Sequence, residues 1–247
     1  MKLIQLRRGA LIASLGLGWS AAVADEESKF EIQASYGVHS RYVWRGVELE
    51  SRPNFQIGTS ITSDRFSLDI FSLSRTAFPL FNSADELDFD MSWAMDWQGW
   101  QVVPFVSVFT YPNDTETENT TEIGLSLGKE AGAYGYYLDQ YLDVDDASGA
   151  YYLELGAMWF HQLSDRSAGG LGVSGGWGNA KFHRENFGVN KSAGTVASAS
   201  AFLEIGLDQN VSLRPEVRYD RLLDRRLRDS GARKDNVTLS LTISKAW

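Results

Sequence analysis

The sequence predicts an all-β protein, a transmembrane antiparallel up-and-down β-barrel of about 12 strands. Three observations predict it. Apolar and polar side chains alternate with period two along most of the chain, the alternating runs are about ten residues long, and the connections between them switch regularly between tight turns and longer loops.

The alternation is clearest at Leu87, Phe89, Met91, Trp93, Met95 and Trp97, with Asp88, Asp90, Ser92, Ala94 and Asp96 between them. One face is wholly apolar and the other mostly acidic or small. A soluble sandwich turns the apolar face inward, whereas a membrane barrel turns it to lipid and the polar face to the lumen. Run length favours the barrel. Candidate strands lie at 29–40, 53–62, 65–74, 85–97, 100–111, 119–128, 133–143, 149–161, 170–179, 194–207, 210–220 and 235–247. A tilted strand needs about 9–11 residues to cross a bilayer, while soluble strands usually have about 5–6.

The connections point the same way. Ser63-Asp64, Gln98-Gly99, Lys129 to Gly132, Ser164 to Gly169 and Asp208-Gln209 are short. Arg41 to Arg52, Thr76 to Ala84, Pro112 to Glu118, Ala180 to Lys191 and Arg221 to Lys234 are longer, and Val144 to Ser148 is the exception on that side. Outer-membrane barrels have short periplasmic turns and long extracellular loops.

Residues 1–24 read as a removable export leader: Lys2, Arg7 and Arg8, an apolar run from Gly9 to Ala22, and Ala22-Val23-Ala24 as the cleavage site. The barrel domain is therefore expected over 25–247. Removing three basic residues from 23 leaves 20 against 32 acidic ones, a net charge of −12. So acidic a chain has no electrostatic case for binding nucleic acid. The absence of cysteine excludes disulfides, thiolate metal sites and thiol nucleophiles.

The segment Val237, Leu239, Leu241, Ile243, Lys245, Trp247 alternates and closes on an aromatic residue, as signals read by the barrel-assembly machinery do. Trp97, Trp100, Tyr111, Tyr134, Tyr136 and Trp159 fall near strand ends, where interfacial girdles sit. At Ser40-Arg41-Tyr42-Val43-Trp44-Arg45-Gly46, then Pro53 and Gln56-Ile57-Gly58, the sequence resembles the TorF-like family of porins. Tyr136-Tyr137-Leu138-Asp139 with Tyr151-Tyr152-Leu153-Glu154-Leu155-Gly156 looks like a later hairpin of that family. The resemblance implies an outer-membrane barrel and, by assumption, a channel; it carries no catalytic residues. Val47-Glu48-Leu49-Glu50 departs from the Ser or Gly that often follows the Arg-Gly pair in the family.

Parity then assigns a lumen: Arg41, Asp88, Asp90, Glu122, Asp139, Asp143, Glu154, Glu204, Arg214, Glu216 and Arg218 point inward. Arg41, Arg214 and Arg218 form a partly basic wall facing an acidic one, an arrangement that would orient dipolar solutes. The competing expectation is that these groups pair with one another and plug a narrow barrel.

Other chemistry is weakly encoded. His39, His161 and His183 are the bases available to a rim-site hydrolase, with Ser40 beside His39, but no nucleophile elbow is present. Asp143, Asp145 and Asp146 suit a surface Ca²⁺ or, more commonly, a solvated turn. Arg221, Arg225, Arg226, Arg228, Arg233 and Lys234 would grip lipopolysaccharide phosphates or pair with the interleaved Asp220, Asp224, Asp229 and Asp235. Gly169-Gly170 to Gly178 suits a thin strand or one packed close to an inner loop. The expectation is a porin-like channel for small hydrophilic solutes, without cofactor or enzymatic activity. The partners expected are outer-membrane lipid, lipopolysaccharide and the assembly machinery. The alternatives are a non-conducting surface barrel (adhesin or receptor), a rim-site hydrolase and a soluble periplasmic β-protein.

Overall fold

A computed structural model describes residues 30–75, 84–114 and 116–247. The leader expected at 1–24 lies outside the described residues. The chain forms a closed antiparallel barrel of twelve wall strands. β1 (Glu31–His39) is followed by a small hairpin, β2 (Tyr42–Trp44) and β3 (Val47–Glu50), that is not part of the wall. The wall resumes with β4 (Asn54–Ser63), β5 (Phe66–Ser74), and one broken strand made of β6 (Glu86–Trp93) and β7 (Met95–Trp97). It continues through β8 (Trp100–Thr110), β9 (Thr120–Ala131), β10 (Tyr134–Asp143), β11 (Tyr151–Ser164) and β12 (Ser167–Gly178). Helix α1 (Ala180–Phe187) precedes β13 (Ala193–Asp208) and β14 (Val211–Leu222), and helix α2 (Arg225–Asp229) precedes β15 (Asp235–Ala246).

Each wall strand pairs with its chain neighbours, and β1 pairs with β15 to close the ring. The seam is in register from Gln33↔Ala246 to His39↔Ser240. The register is the same on both sides of the break at Ala94, Ser92↔Phe105 and Met95↔Val102, which puts Ala94 across from Val103, next to Pro104, a residue with no N–H to offer the ladder.

Alternation becomes sidedness in the wall. In β6, Glu86, Asp88, Asp90 and Ser92 are buried while Met91 and Trp93 are exposed. In β15, Val237, Leu239, Leu241 and Ile243 are all exposed, with Leu239 at 58%. No second sheet covers these residues: the only other sheet among the described residues is the β2–β3 hairpin. Exposed apolar side chains form a continuous belt, as a bilayer requires. Trp97, Trp100, Tyr134, Trp159 and Trp247 stand outward at the short-turn end. Tyr111 instead follows the inward parity of Ser107 and Phe109, so it leaves the expected girdle. Lys245, on the outer face, sits at the same end with its ammonium 4.8 Å from the Trp247 ring.

The tight turns fall within three residues of their expected positions. Gln98 and Gly99 take φ of 50° and 78°, the pair of positive values a two-residue hairpin needs. The long-loop end holds more structure than expected. Helix α1 is capped by Asn179, whose side chain accepts from the Phe182 N–H, and it ends at Gly188 in the left-handed region. Its residues Phe182, His183 and Phe187 are buried inside the barrel mouth.

Candidate functional site in the barrel interior

The first long connection turns inward. Tyr42 pairs with Glu50 and Trp44 with Val47, leaving Arg45-Gly46 as the hairpin tip. Both tip residues have positive φ, 47° and 86°. Glycine adopts this freely, but for Arg45 it costs about 1–2 kcal/mol. The cost is offset because the tip delivers the guanidinium to the opposite wall. Arg45 is 8% exposed. Its Nη1 and Nη2 donate to Glu122 Oε1 and Oε2 on β9 at 2.6 and 2.7 Å. Its Cζ lies 3.9 Å from the centroid of the Tyr141 ring and 5.0 Å from that of Tyr152, with Trp44 of the hairpin at 4.2 Å.

The rest of the hairpin is fixed on several sides. The Tyr42 hydroxyl donates to Glu86 at 3.5 Å, and Arg41 pairs with Glu48 at 2.6 Å. Gly46 packs against Val196 of β13 and Leu222 of β14, where a side chain would press on both. Trp44 meets Phe109 and Phe182 with ring centroids 6.3 and 6.0 Å apart. The hairpin therefore crosses the lumen from β13–β14 to β9–β11. Around it lies a buried apolar cluster of Phe105, Tyr141, Tyr152, Phe182, Phe187, Leu222 and Leu227. Glu50 at its base is hydrogen-bonded by Arg52, which holds its carboxyl below the usual range.

Below the hairpin the inner wall is acidic. Asp88, Asp90, Glu122, Asp139, Asp143 and Glu154 are all buried on the inner side. Ser107 donates to Asp90, Tyr137 to Glu154 at 2.9 Å, and Thr120 to Asp143 at 2.6 Å. Glu204, Arg214, Glu216 and Arg218 share the inward parity of β13 and β14 and are half-buried. The basic groups do not stand free against the acidic wall. Arg214 pairs with Glu216 at 3.0 Å and lies over the Phe202 ring at 3.8 Å. Arg218 pairs with Asp220 at 2.9 Å. Arg41 sits at the long-loop rim just past β1, held by Glu48 and Asn236. Position in the ring separates β14 from β6–β9, but the arginines there are largely neutralised by neighbours on their own strand.

The inner face of β12 is Ala168, Gly170, Gly172, Ser174, Gly176 and Gly178. Aromatic side chains fill the space this leaves: Phe202 lies over Gly170, Tyr152 over Gly176, and Phe182 with His183 over Gly178. The glycines thus make room for the inner cluster and for α1.

The remaining candidates resolve simply. Ser40 Oγ accepts from the Leu239 N–H at 2.9 Å, extending the β1–β15 seam. His161 stacks on Trp159. His183 is fully buried, with Nδ1 2.5 Å from Lys191 O and Nε2 2.8 Å from Thr195 Oγ1. Asp143 accepts from the Asp145 N–H at 2.9 Å as part of its turn. Among the described residues no group of three or more acidic or histidine side chains is placed to hold a metal ion. The basic loop is paired partly with itself, Arg221–Asp235 and Arg225–Asp229, and partly with its neighbours, Lys191 to Asp224 and Arg233 to Glu48 of the hairpin.

No family model matches the chain, and neither does any curated protein. Solved structures do. The barrel is similar to the KdgM porin in complex with disordered oligogalacturonate, with TM-score 0.52 and 9% identity over 88% of this chain and 99% of that one. It is similar to the NanC porin, with TM-score 0.52 and 9% identity over 87% and 98% of the two chains. The chain has the fold of an outer-membrane porin. At such low identity the likeness shows the porin fold alone.

Proposed function

We propose that this chain is an outer-membrane, porin-like channel for small hydrophilic solutes, narrowed by its own β2–β3 hairpin, and that it belongs with the TorF-like porins its first hairpin resembles. The observation that supports this most is the direction of the charges. Asp88, Asp90, Glu122, Asp139 and Glu154 point into a closed barrel whose outer face is apolar. A barrel that served only as a wall would be better filled with apolar side chains, since buried carboxylates cost free energy. A wet lumen gives them a use. Arg41, Asp88, Asp90, Glu122, Asp139, Asp143, Glu154, Glu204, Arg214, Glu216 and Arg218 are the residues this reading assigns to the pore lining.

The same charges indicate what passes. Oligogalacturonate, the ligand of the KdgM complex, is a chain of carboxylated sugars. In this barrel a polyanion would meet an acidic wall whose arginines are already paired. Neutral, dipolar and cationic solutes are favoured instead. Export would remove 1–24, the final strand would be read by the assembly machinery, and lipid with lipopolysaccharide would surround the belt.

A second reading has its own observation. The Arg45–Glu122 pair and the apolar cluster close much of the long-loop end, as expected for a non-conducting surface barrel. Single-channel recording in planar bilayers separates the two. The channel reading expects discrete, ohmic steps and a reversal potential displaced toward cations in a salt gradient. Silence at all voltages from a heat-modifiable, folded barrel would overturn it.

A further inference from the structure

The Arg45 guanidinium sits as a bound ligand would. We propose that Glu122, Tyr141 and Tyr152 form a binding site for guanidinium-bearing organic cations, occupied here by the chain's own Arg45. The proposal rests on the channel reading only for how such a solute arrives. Glu122 presents both carboxylate oxygens to the two terminal nitrogens, at 2.6 and 2.7 Å, which is the fork-to-fork match between a planar guanidinium and a carboxylate. Tyr141 lies against its face at 3.9 Å, with Tyr152 further off at 5.0 Å. A spherical ammonium satisfies the charge but neither the fork nor the stacking face.

The three groups belong to three adjacent wall strands, with Tyr141 and Tyr152 direct partners across β10–β11 and Glu122 opposite Asp143 across β9–β10. Their spacing is therefore set by the barrel and persists when the hairpin moves. The occupant, by contrast, is carried on a two-residue turn held at a positive φ for a non-glycine residue, strain that is relieved when the tip lets go. A buried ion pair is also a poor anchor, since an apolar pair of similar volume commonly holds two elements as well or better. An exchangeable cation explains the choice of residues. A solute carrying a guanidinium group enters the cage, Arg45 is released, and the hairpin that crosses the lumen loses its attachment to β9.

The test uses the purified, folded barrel and ethylguanidinium as probe, with tetramethylammonium at equal ionic strength for comparison. Arg45→Ala empties the cage. Calorimetry should show ethylguanidinium binding about tenfold more tightly to this variant than to the parent chain, and about tenfold more tightly than tetramethylammonium. Adding Glu122→Gln should abolish the binding. Equal binding by parent and variant, or binding that survives Glu122→Gln, overturns the proposal. Should Arg45→Ala fail to fold, the parent chain serves. Millimolar ethylguanidinium, but not tetramethylammonium, should speed deuterium uptake across residues 42–50, and identical uptake overturns the proposal. A barrel that binds ethylguanidinium yet carries no current keeps the site and removes the channel; a conducting barrel that binds none removes the site and keeps the channel.

Discussion

Gly156 on β11 lies directly beneath the ring of its cross-strand partner, Tyr137 on β10, so close that a Cβ there would collide with the ring carbons. The absent side chain lets the phenol lie flat along the wall and reach Glu154 at 2.9 Å. Gly156→Val should therefore force the ring off the wall and break that hydrogen bond, costing about 2–3 kcal/mol. The midpoint of heat-modifiable gel migration should fall. An unchanged midpoint would mean that the ring has somewhere else to go.

Arg45→Ala removes one partner of a buried pair and leaves the Glu122 carboxylate behind, a change that ordinarily costs about 3–5 kcal/mol. Because the hairpin crosses the lumen, the variant should also conduct more per open channel than the parent. Arg45→Ala with Glu122→Gln should recover part of the stability but keep the larger conductance. Equal conductance in all three would show that the hairpin does not narrow the path.

The side assignment can be tested on one strand. Leu239 faces outward at 58% exposure, and Ser240 is on the inner face. Leu239→Arg puts a charge in the apolar belt and should cost about 2–4 kcal/mol of barrel stability in lipid. Ser240→Arg should cost far less and shift ion selectivity toward anions. A soluble protein would give the opposite ranking, with the inward arginine the more damaging.

His183 gives the long-loop cap a pH dependence. Burial lowers its pKa below the usual 6.5, against the opposing pull of the Lys191 carbonyl and Asp224. The opened cap therefore binds a proton more readily than the closed one, so closure is favoured above about pH 6.5 and weakened as pH falls below it. Amide protection factors across 180–192, taken relative to the intrinsic exchange rate at each pH, should be larger at pH 7.5 than at pH 5, and His183→Gln should flatten the difference. Protection that does not change with pH would count against the role given to the ring.

Much of the wall was legible because its rule is local. Period two fixes which residues share a face, and a closed ring needs no further information to put Asp88 inside and Met91 outside. The inward hairpin was not legible, although its signals stand in the sequence. Tyr42 and Trp44 alternate before Arg45-Gly46, and Val47 and Leu49 after it. What decides whether such a segment stands outside or folds in is Glu122, 77 residues further along. Arginine is also an unusual choice for a turn position with positive φ. Helix α1 was missed for a different reason: Asn179 and Gly188 mark its ends, but eight residues give too few turns for a periodicity to stand out. Arg214 and Arg218 do point inward, yet acids two residues away on the same strand and face, Glu216 and Asp220, take them first.

The seam joins Ser40 to Leu239 across 199 positions, and the Trp247 N–H closes on Ile32 O at 2.9 Å. A hairpin in mid-chain can zip as soon as it emerges, but the first strand waits for the last. Until then an arc of wall has two raw edges, each able to capture any stray strand, including that of a sister chain. Assembly of this protein is thus a race between completion and mispairing. A single substitution that weakens the final ladder need not disturb the finished cylinder to prevent it from forming.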